Sequence, residues 1–225
     1  EIAKPMGVIG AITPTTNPII TPMCNAMFAI KGRNAVIICP HPRSEKCSTR
    51  TAELMAAEVV KLGGPADLIQ CVPGPTNEKS ALLMSMADVC ISTGGMGVVK
   101  AAYSSGKPAF GVGAGNVQCI IDEDVDITKA VPMIIEGRAF DNGIICSGEQ
   151  TAIIPASKYD EVIAEFIKNG TYYTEKPAEI DALRDVLFPN GVMNKDLVGQ
   201  SAVTVAKAAG ISVPEDCAPP APACS

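Results

Sequence analysis

The sequence predicts an α/β protein with a mostly parallel sheet and helices on both faces. Two observations predict it. Short apolar runs alternate along the chain with segments of helical period. Glycine and proline punctuate nearly every junction between them. That βαβα rhythm is the signature of parallel strands joined by crossover helices.

The elements follow in order. Val8 to Ile12 predicts a strand, and Thr21 to Arg33 a helix ending near Gly32. Ala35 to Cys39 is a short apolar run closed by Pro40 and Pro42. Ser44 is placed to cap the next helix, which stops at Gly63 and Gly64. Within it Ala52, Met55, Val59 and Leu62 share one face at helical spacing. Leu68 to Val72 predicts a strand, Thr76 to Met86 a helix, and Val89 to Ser92 a strand running into Thr93, Gly94 and Gly95. A helix to about Tyr103 and an extended Ala109 to Val112 complete this stretch.

The rhythm then changes. GVGAGN at 111–116 is a glycine-rich connection, VQCII at 117–121 a strand, and Asp126 to Arg138 a helix. DNGIICSGEQ at 141–150 is polar and flanked by glycine around an apolar centre, and TAIIP at 151–155 is extended. Ser157 and Asp160 have capping-box spacing ahead of a helix over 158–169. These changes divide the chain into domains at 1–117 and 118–216, with a low-complexity, disordered tail, CAPPAPACS, at 217–225.

Composition narrows the function. A hydrophobic fraction of 47% in 225 residues supplies a real core. A net charge of -6 gives no reason to expect nucleic acid or an anionic membrane as partner. No stretch reaches the roughly 20 apolar residues of a membrane span, and the first residues do not read as a signal peptide. The nine cysteines form no C-x-x-C pair, which argues against a metal site and for a reducing, cytoplasmic setting.

Four segments could carry chemistry. Cys146 lies between Gly143 and Gly148, which allow a sharp turn and close approach of a substrate. Read alone, it is either a reactive thiol or one more buried cysteine. Asn17, in the proline-stiffened ITPTTNP, is either an oxyanion donor or a turn residue bonding its own backbone. STGGMG at 92–97 is either a phosphate-holding helix start or an ordinary turn. His41, between two prolines, suits a nucleotide pocket or a fixed turn better than proton transfer.

Taken in order, PMGVIGAITPTTNP, KGRNAVIICPHPRS, STGGMGVVKAAYSSGKPAFGVGAGN, FDNGIICSGEQ and VGQSAVTVAKAAGISVPED resemble the aldehyde dehydrogenase superfamily. NGIICSGEQ and AAYSSGKPAFGVGAGN resemble its CoA-acylating branch, which includes CoA-dependent succinate-semialdehyde dehydrogenases and the aldehyde part of aldehyde-alcohol dehydrogenases. The fold implied is that family's Rossmann variant, followed by the start of a second, catalytic α/β domain. Cys146 is then the nucleophile, with Asn17 and the Cys146 backbone N–H as oxyanion hole. Pro14, Thr15, Thr93, Gly94, Gly95, Val112 and Gly113 fall in the cofactor-binding stretches. His41, Pro42 and Arg43 fall where the family meets the adenosine ribose.

The resemblance implies NAD or NADP as cofactor, an aldehyde and CoA as substrates, no metal, and a homo-oligomeric full-length parent. Two departures carry information. Cys39 and Pro42 replace the lysine and acidic residue of hydrolytic relatives, so the ribose clamp differs and Arg43 is free to attract a 2'-phosphate. Val112 stands where hydrolytic relatives carry a glutamate base, and valine cannot activate water. The expected reaction is therefore acyl transfer to a thiol, on succinate semialdehyde or acetaldehyde. Glu149 reads as a base or as a hydrogen-bonding carboxylate, and Ser147 as a group able to hydrogen-bond a substrate carboxylate. The alternatives are a hydrolytic or phosphorylating semialdehyde dehydrogenase, and an inactive dinucleotide-binding fragment.

Overall fold

A computed structural model describes residues 2–215, Cys217 and 223–224. The chain divides into two compact units, at residues 1–114 and 115–225. Each is a parallel sheet with helices against it.

In the first unit β1 (Val8–Thr13), β2 (Ala35–Pro40), β3 (Ile69–Cys71), β4 (Val89–Thr93) and β5 (Ala109–Val112) form one sheet in the order β3-β2-β1-β4-β5. Every pairing in it is parallel. The connecting helices are α1 (Ile20–Lys31), α2 (Glu45–Lys61), α3 (Asn77–Met86) and α4 (Met96–Tyr103).

Strand alternation sorts the core onto two faces. Ile9, Ala11, Val36, Ile38 and Val89 pack with Ala26 and Ala29 of α1 and Ala52 of α2. Ile12, Cys39 and Cys90 pack on the other face with Leu83 and Met84 of α3 and Ala102 of α4. Both faces are thus apolar, as a covered parallel sheet requires.

Buried Asn34 ties the start of β1 to the start of β2. Its Oδ1 accepts from the backbone N–H groups of Met6 (2.5 Å) and Gly7 (3.0 Å), and its Nδ2 donates to Ala29 O at 3.2 Å.

In the second unit β6 (Val117–Ile120), β7 (Glu149–Ile153) and the short β8 (Ala223–Cys224) lie parallel in that order. Helices α5 (Ile127–Ala139) and α6 (Tyr159–Lys168) supply Val131, Ile134, Val162 and Phe166 to a core with Ile121, Ala152 and Ile154. Helices α7 (Pro177–Leu187) and α8 (Ala202–Ala208) follow.

Three expectations need correction. Leu62 is 88% exposed, because α2 ends at Lys61 and Leu62 has already left the apolar stripe. Neither Ser44 nor Ser157 caps its helix through the side chain, because each helix is preceded by a 3-10 turn, at Pro42–Ser44 and Ala156–Lys158. Their hydroxyls bond elsewhere: Ser44 to the carbonyl of His41 at 3.0 Å, Ser157 to the carboxylate of Glu123 at 3.4 Å. The tail expected to be disordered pairs with β7 at Ala223 and Cys224, and otherwise falls, Cys217 apart, outside the described residues.

Candidate active site

The strand order places its reversal between β1 and β4, whose crossovers leave in opposite directions. In an open parallel sheet, ligands bind beyond the carboxyl ends of the strands at such a point. The predicted residues of the first unit all lie at that end. Pro14, Thr15 and Asn17 follow β1, His41, Pro42 and Arg43 follow β2, Thr93 closes β4 ahead of Gly94 and Gly95, and Val112 closes β5 ahead of Gly113.

Local structure makes this edge receptive. Gly95 is the N-cap of α4, and a side chain placed on Gly94, Gly95 or Gly97 would meet nothing within 4 Å. The helix start therefore faces open space, as an anion-binding terminus must. Two hydroxyls at the same strand ends, Thr13 Oγ1 and Ser92 Oγ, are buried and have no hydrogen-bond partner among the described residues. The start of α4, open around Gly94 and Gly95, fits the phosphates of a dinucleotide.

His41 is exposed, and its Nδ1 accepts from the backbone N–H of Arg43 at 3.1 Å. It caps the 3-10 turn, so one ring nitrogen already has a structural task. Val112 is 54% exposed at the end of β5.

The loop that carries Asn17 is held by α2, which sequence reasoning missed. Ser44 Oγ lies 3.4 Å from Pro14 O, and the buried Ser48 donates to Pro18 O at 2.8 Å. Ser48 of α2 grips the Pro18 end of the loop, while Ser44, in the 3-10 turn before α2, donates to His41 O and lies beside the Pro14 end. The carbonyl of Asn17 accepts from Thr21 N at 3.2 Å, fixing its backbone to the start of α1.

In the second unit Cys146 is exposed on the loop between α5 and β7. The loop opens with Asp141 (φ 50°) and Asn142 (φ 51°), then Gly143 (φ 71°), three successive residues in the left-handed region. Asp and Asn tolerate it better than other side chains, and such strain persists where the surroundings enforce it. Here Asn142 Nδ2 donates to Gly199 O at 3.1 Å. The far side of the loop packs on α5, where a side chain on Gly148 would come within 3.2 Å of Gly137 O. The glycine-rich connection also reaches this loop, with a side chain at Gly115 falling 3.7 Å from Cys146 O. The sequence signal for this turn was the Asn-Gly pair at 142–143.

Glu149 opens β7, and its carboxylate lies against Gly137 of α5 with Oε2 buried. That position puts the carboxylate in packing contact with α5. Among the described residues no group of three or more His, Cys, Asp or Glu side chains could hold a metal. No described helix is long and apolar enough to cross a membrane.

The first unit thus presents a Rossmann-like strand edge, and the second an exposed cysteine on a glycine-flanked loop. The chain belongs to the aldehyde dehydrogenase family, which matches residues 1–178. It is 54% identical over 214 residues to succinate-semialdehyde dehydrogenase (acetylating) of Clostridium kluyveri, covering 95% of this chain and 47% of that protein. The acetylating aldehyde dehydrogenase of Geobacillus thermoglucosidasius superposes with a TM-score of 0.88 at 40% identity, over 96% of this chain and 48% of that one. The propionaldehyde dehydrogenase of Rhodopseudomonas palustris with bound propionyl-CoA superposes at 0.83 with 37% identity, over 96% and 48%. The chain thus spans about half the length of these relatives.

Proposed function

We propose that this chain is the cofactor-binding and nucleophile-bearing part of a CoA-acylating aldehyde dehydrogenase. Its substrate is succinate semialdehyde, with acetaldehyde the second candidate. The observation that carries the reading is the exposure of Cys146 on a strained loop anchored at both ends. The identity to an acetylating succinate-semialdehyde dehydrogenase supports the substrate class.

Cys146 adds to the aldehyde carbonyl, its sulfur forming the new bond as the carbonyl oxygen takes the negative charge. The amide of Asn17 and the backbone N–H of Cys146 supply the hydrogen bonds that the oxyanion needs. Ser48 holds the proline-stiffened loop at Pro18, next to Asn17. NAD or NADP, when bound, would supply the hydride acceptor that turns the adduct on Cys146 into a thioester. Thr93, Gly94 and Gly95 would hold the dinucleotide phosphates, Pro14, Thr15, Val112 and Gly113 would line the pocket, and His41, Pro42 and Arg43 would meet the adenosine ribose. With Val112 where a base would stand, no carboxylate activates water, and the thioester waits for the CoA thiol. Thioester exchange conserves the bond type, so the reaction runs both ways.

NADH and NADPH formation from succinate semialdehyde and from acetaldehyde, each with and without CoA, tests this reading. Strict CoA dependence with faster turnover of succinate semialdehyde is the expected result. Turnover without CoA would overturn it in favour of a hydrolytic enzyme, and phosphate dependence in favour of a phosphorylating one.

A further inference from the structure

We propose that Arg138 and Glu149 are positioning residues for Cys146, a pair of opposite charges at the two ends of its loop that sets the loop's course. The inference rests on the reading of Cys146 as nucleophile. Arg138 stands in the last turn of α5 and Glu149 opens β7, so the chain between them is the loop itself.

Two glycines, Gly137 and Gly143, clear the space around the pair, and a third, Gly148, packs on the end of α5. A side chain at Gly137 would meet the Glu149 carboxylate, with Cδ at 2.9 Å and Oε1 at 3.0 Å. One at Gly143 would fall 3.1 Å from the guanidinium carbon of Arg138. One at Gly148 would press on the carbonyl of Gly137. The guanidinium reaches the loop directly, with Nη1 3.4 Å from Gly143 O. Glu149 Oε2 is buried with no hydrogen-bond partner among the described residues.

A carboxylate in that position is a poor choice for stability alone, since an apolar side chain would fill the space without desolvation cost. Its charge acts on neighbours from two other elements. Burial pushes the Arg138 guanidinium down and Glu149 draws it back up, while burial and then Glu149 raise the thiol of Cys119 on β6. Arg138 thus engages the loop's first end at Gly143, and Glu149 fills the space beside Gly137 at its second. Cys146 lies between the two anchored glycines and takes its presentation from them.

The test is the alkylation rate of Cys146 by iodoacetamide, read peptide by peptide on the full chain. Exposed Cys47 in the first unit is the control, and half-buried Cys119 reports the integrity of the second. Arg138→Met and Glu149→Gln should each change the Cys146 rate by about threefold or more, with the double variant departing from the product of the singles, as groups acting together do. Arg138→Lys should stay close to the parent rate, which a merely space-filling role would not give.

If Arg138→Met also exposes Cys119, the second unit has opened, and Glu149→Gln, which keeps size and shape, decides. An unchanged Cys146 rate in Glu149→Gln would overturn the inference. So would an Arg138→Lys no better than Arg138→Met. A parent Cys146 no faster than Cys47 would instead defeat the nucleophile reading beneath it.

Discussion

The carboxylate of Glu149 occupies the space that a side chain on Gly137 would need, with Oε1 only 3.0 Å from the Cβ position. Glycine within a helix normally costs about 1 kcal/mol relative to alanine. Here that gain should be lost, because the end of the Glu149 side chain must swing out of its place. Gly137→Ala should lower the unfolding free energy by no more than about 1 kcal/mol. In a Glu149→Ala background the obstacle is gone, and the same change should stabilise by about 0.5–1 kcal/mol. Urea unfolding of the four proteins checks both signs.

Ser48 is buried and holds Pro18, next to Asn17, through a 2.8 Å hydrogen bond. Ser48→Ala should cost about 1–2 kcal/mol by orphaning a carbonyl. The same variant should lower turnover more than it raises KM, because the donor it loosens is the one proposed to act on the oxyanion rather than on the ground state. Steady-state kinetics with CoA saturating would show it.

Burial pushes the thiols of Cys39 and Cys71 above their ordinary value of 9.0, against the lowering effect of hydrogen bonds from Ser80 and Thr49. The folded chain therefore keeps these protons at a pH where the unfolded chain has lost them. Stability from them is complete below about pH 9 and falls as pH rises through the folded values. Thermal melts between pH 8 and pH 11 should show a loss that shrinks in Cys39→Ala and Cys71→Ala once their own baseline is subtracted.

Val112→Glu should introduce CoA-independent aldehyde oxidation, because a carboxylate at the end of β5 supplies the missing base. Product analysis by release of free acid with CoA omitted is the measurement. No free acid, with the fold retained, would mean that the position is not the one that decides between water and thiol.

Much of the fold was legible because periodicity and punctuation agreed. Val8 to Thr13, Ala35 to Pro40 and Val89 to Thr93 are apolar runs bounded by glycine and proline, and each became a parallel strand within a residue or two of its expected limits. What failed depended on geometry that spacing does not encode. Ser44 and Ser157 have the right residue type for a cap, yet a preceding 3-10 turn moves each hydroxyl away from the helix amides. Leu62 keeps helical phase after the helix itself has ended.

The candidate site divides in the same way. Cys146, Asn17 and the glycine-rich strand end were visible as residue types in suggestive places, and family resemblance gave them roles. The groups that hold them were not visible. Ser48 gripping Pro18, Asn142 reaching Gly199, and Glu149 against Gly137 are contacts of ordinary polar side chains with backbone distant in sequence. One local clue existed: an isolated glycine inside a helical pattern has a packing reason, and Gly137 has one.

In the proposed reaction Cys146 carries the acyl group between aldehyde and CoA. Its most direct test runs the transfer backwards, without nucleotide. The chain is incubated with succinyl-CoA or acetyl-CoA, and its peptides are weighed. Acyl transfer to Cys146 with release of CoA, absent from Cys146→Ala and faster than at exposed Cys47, is the predicted result. Acylation of Cys47 and Cys146 alike, or of neither, would contradict it.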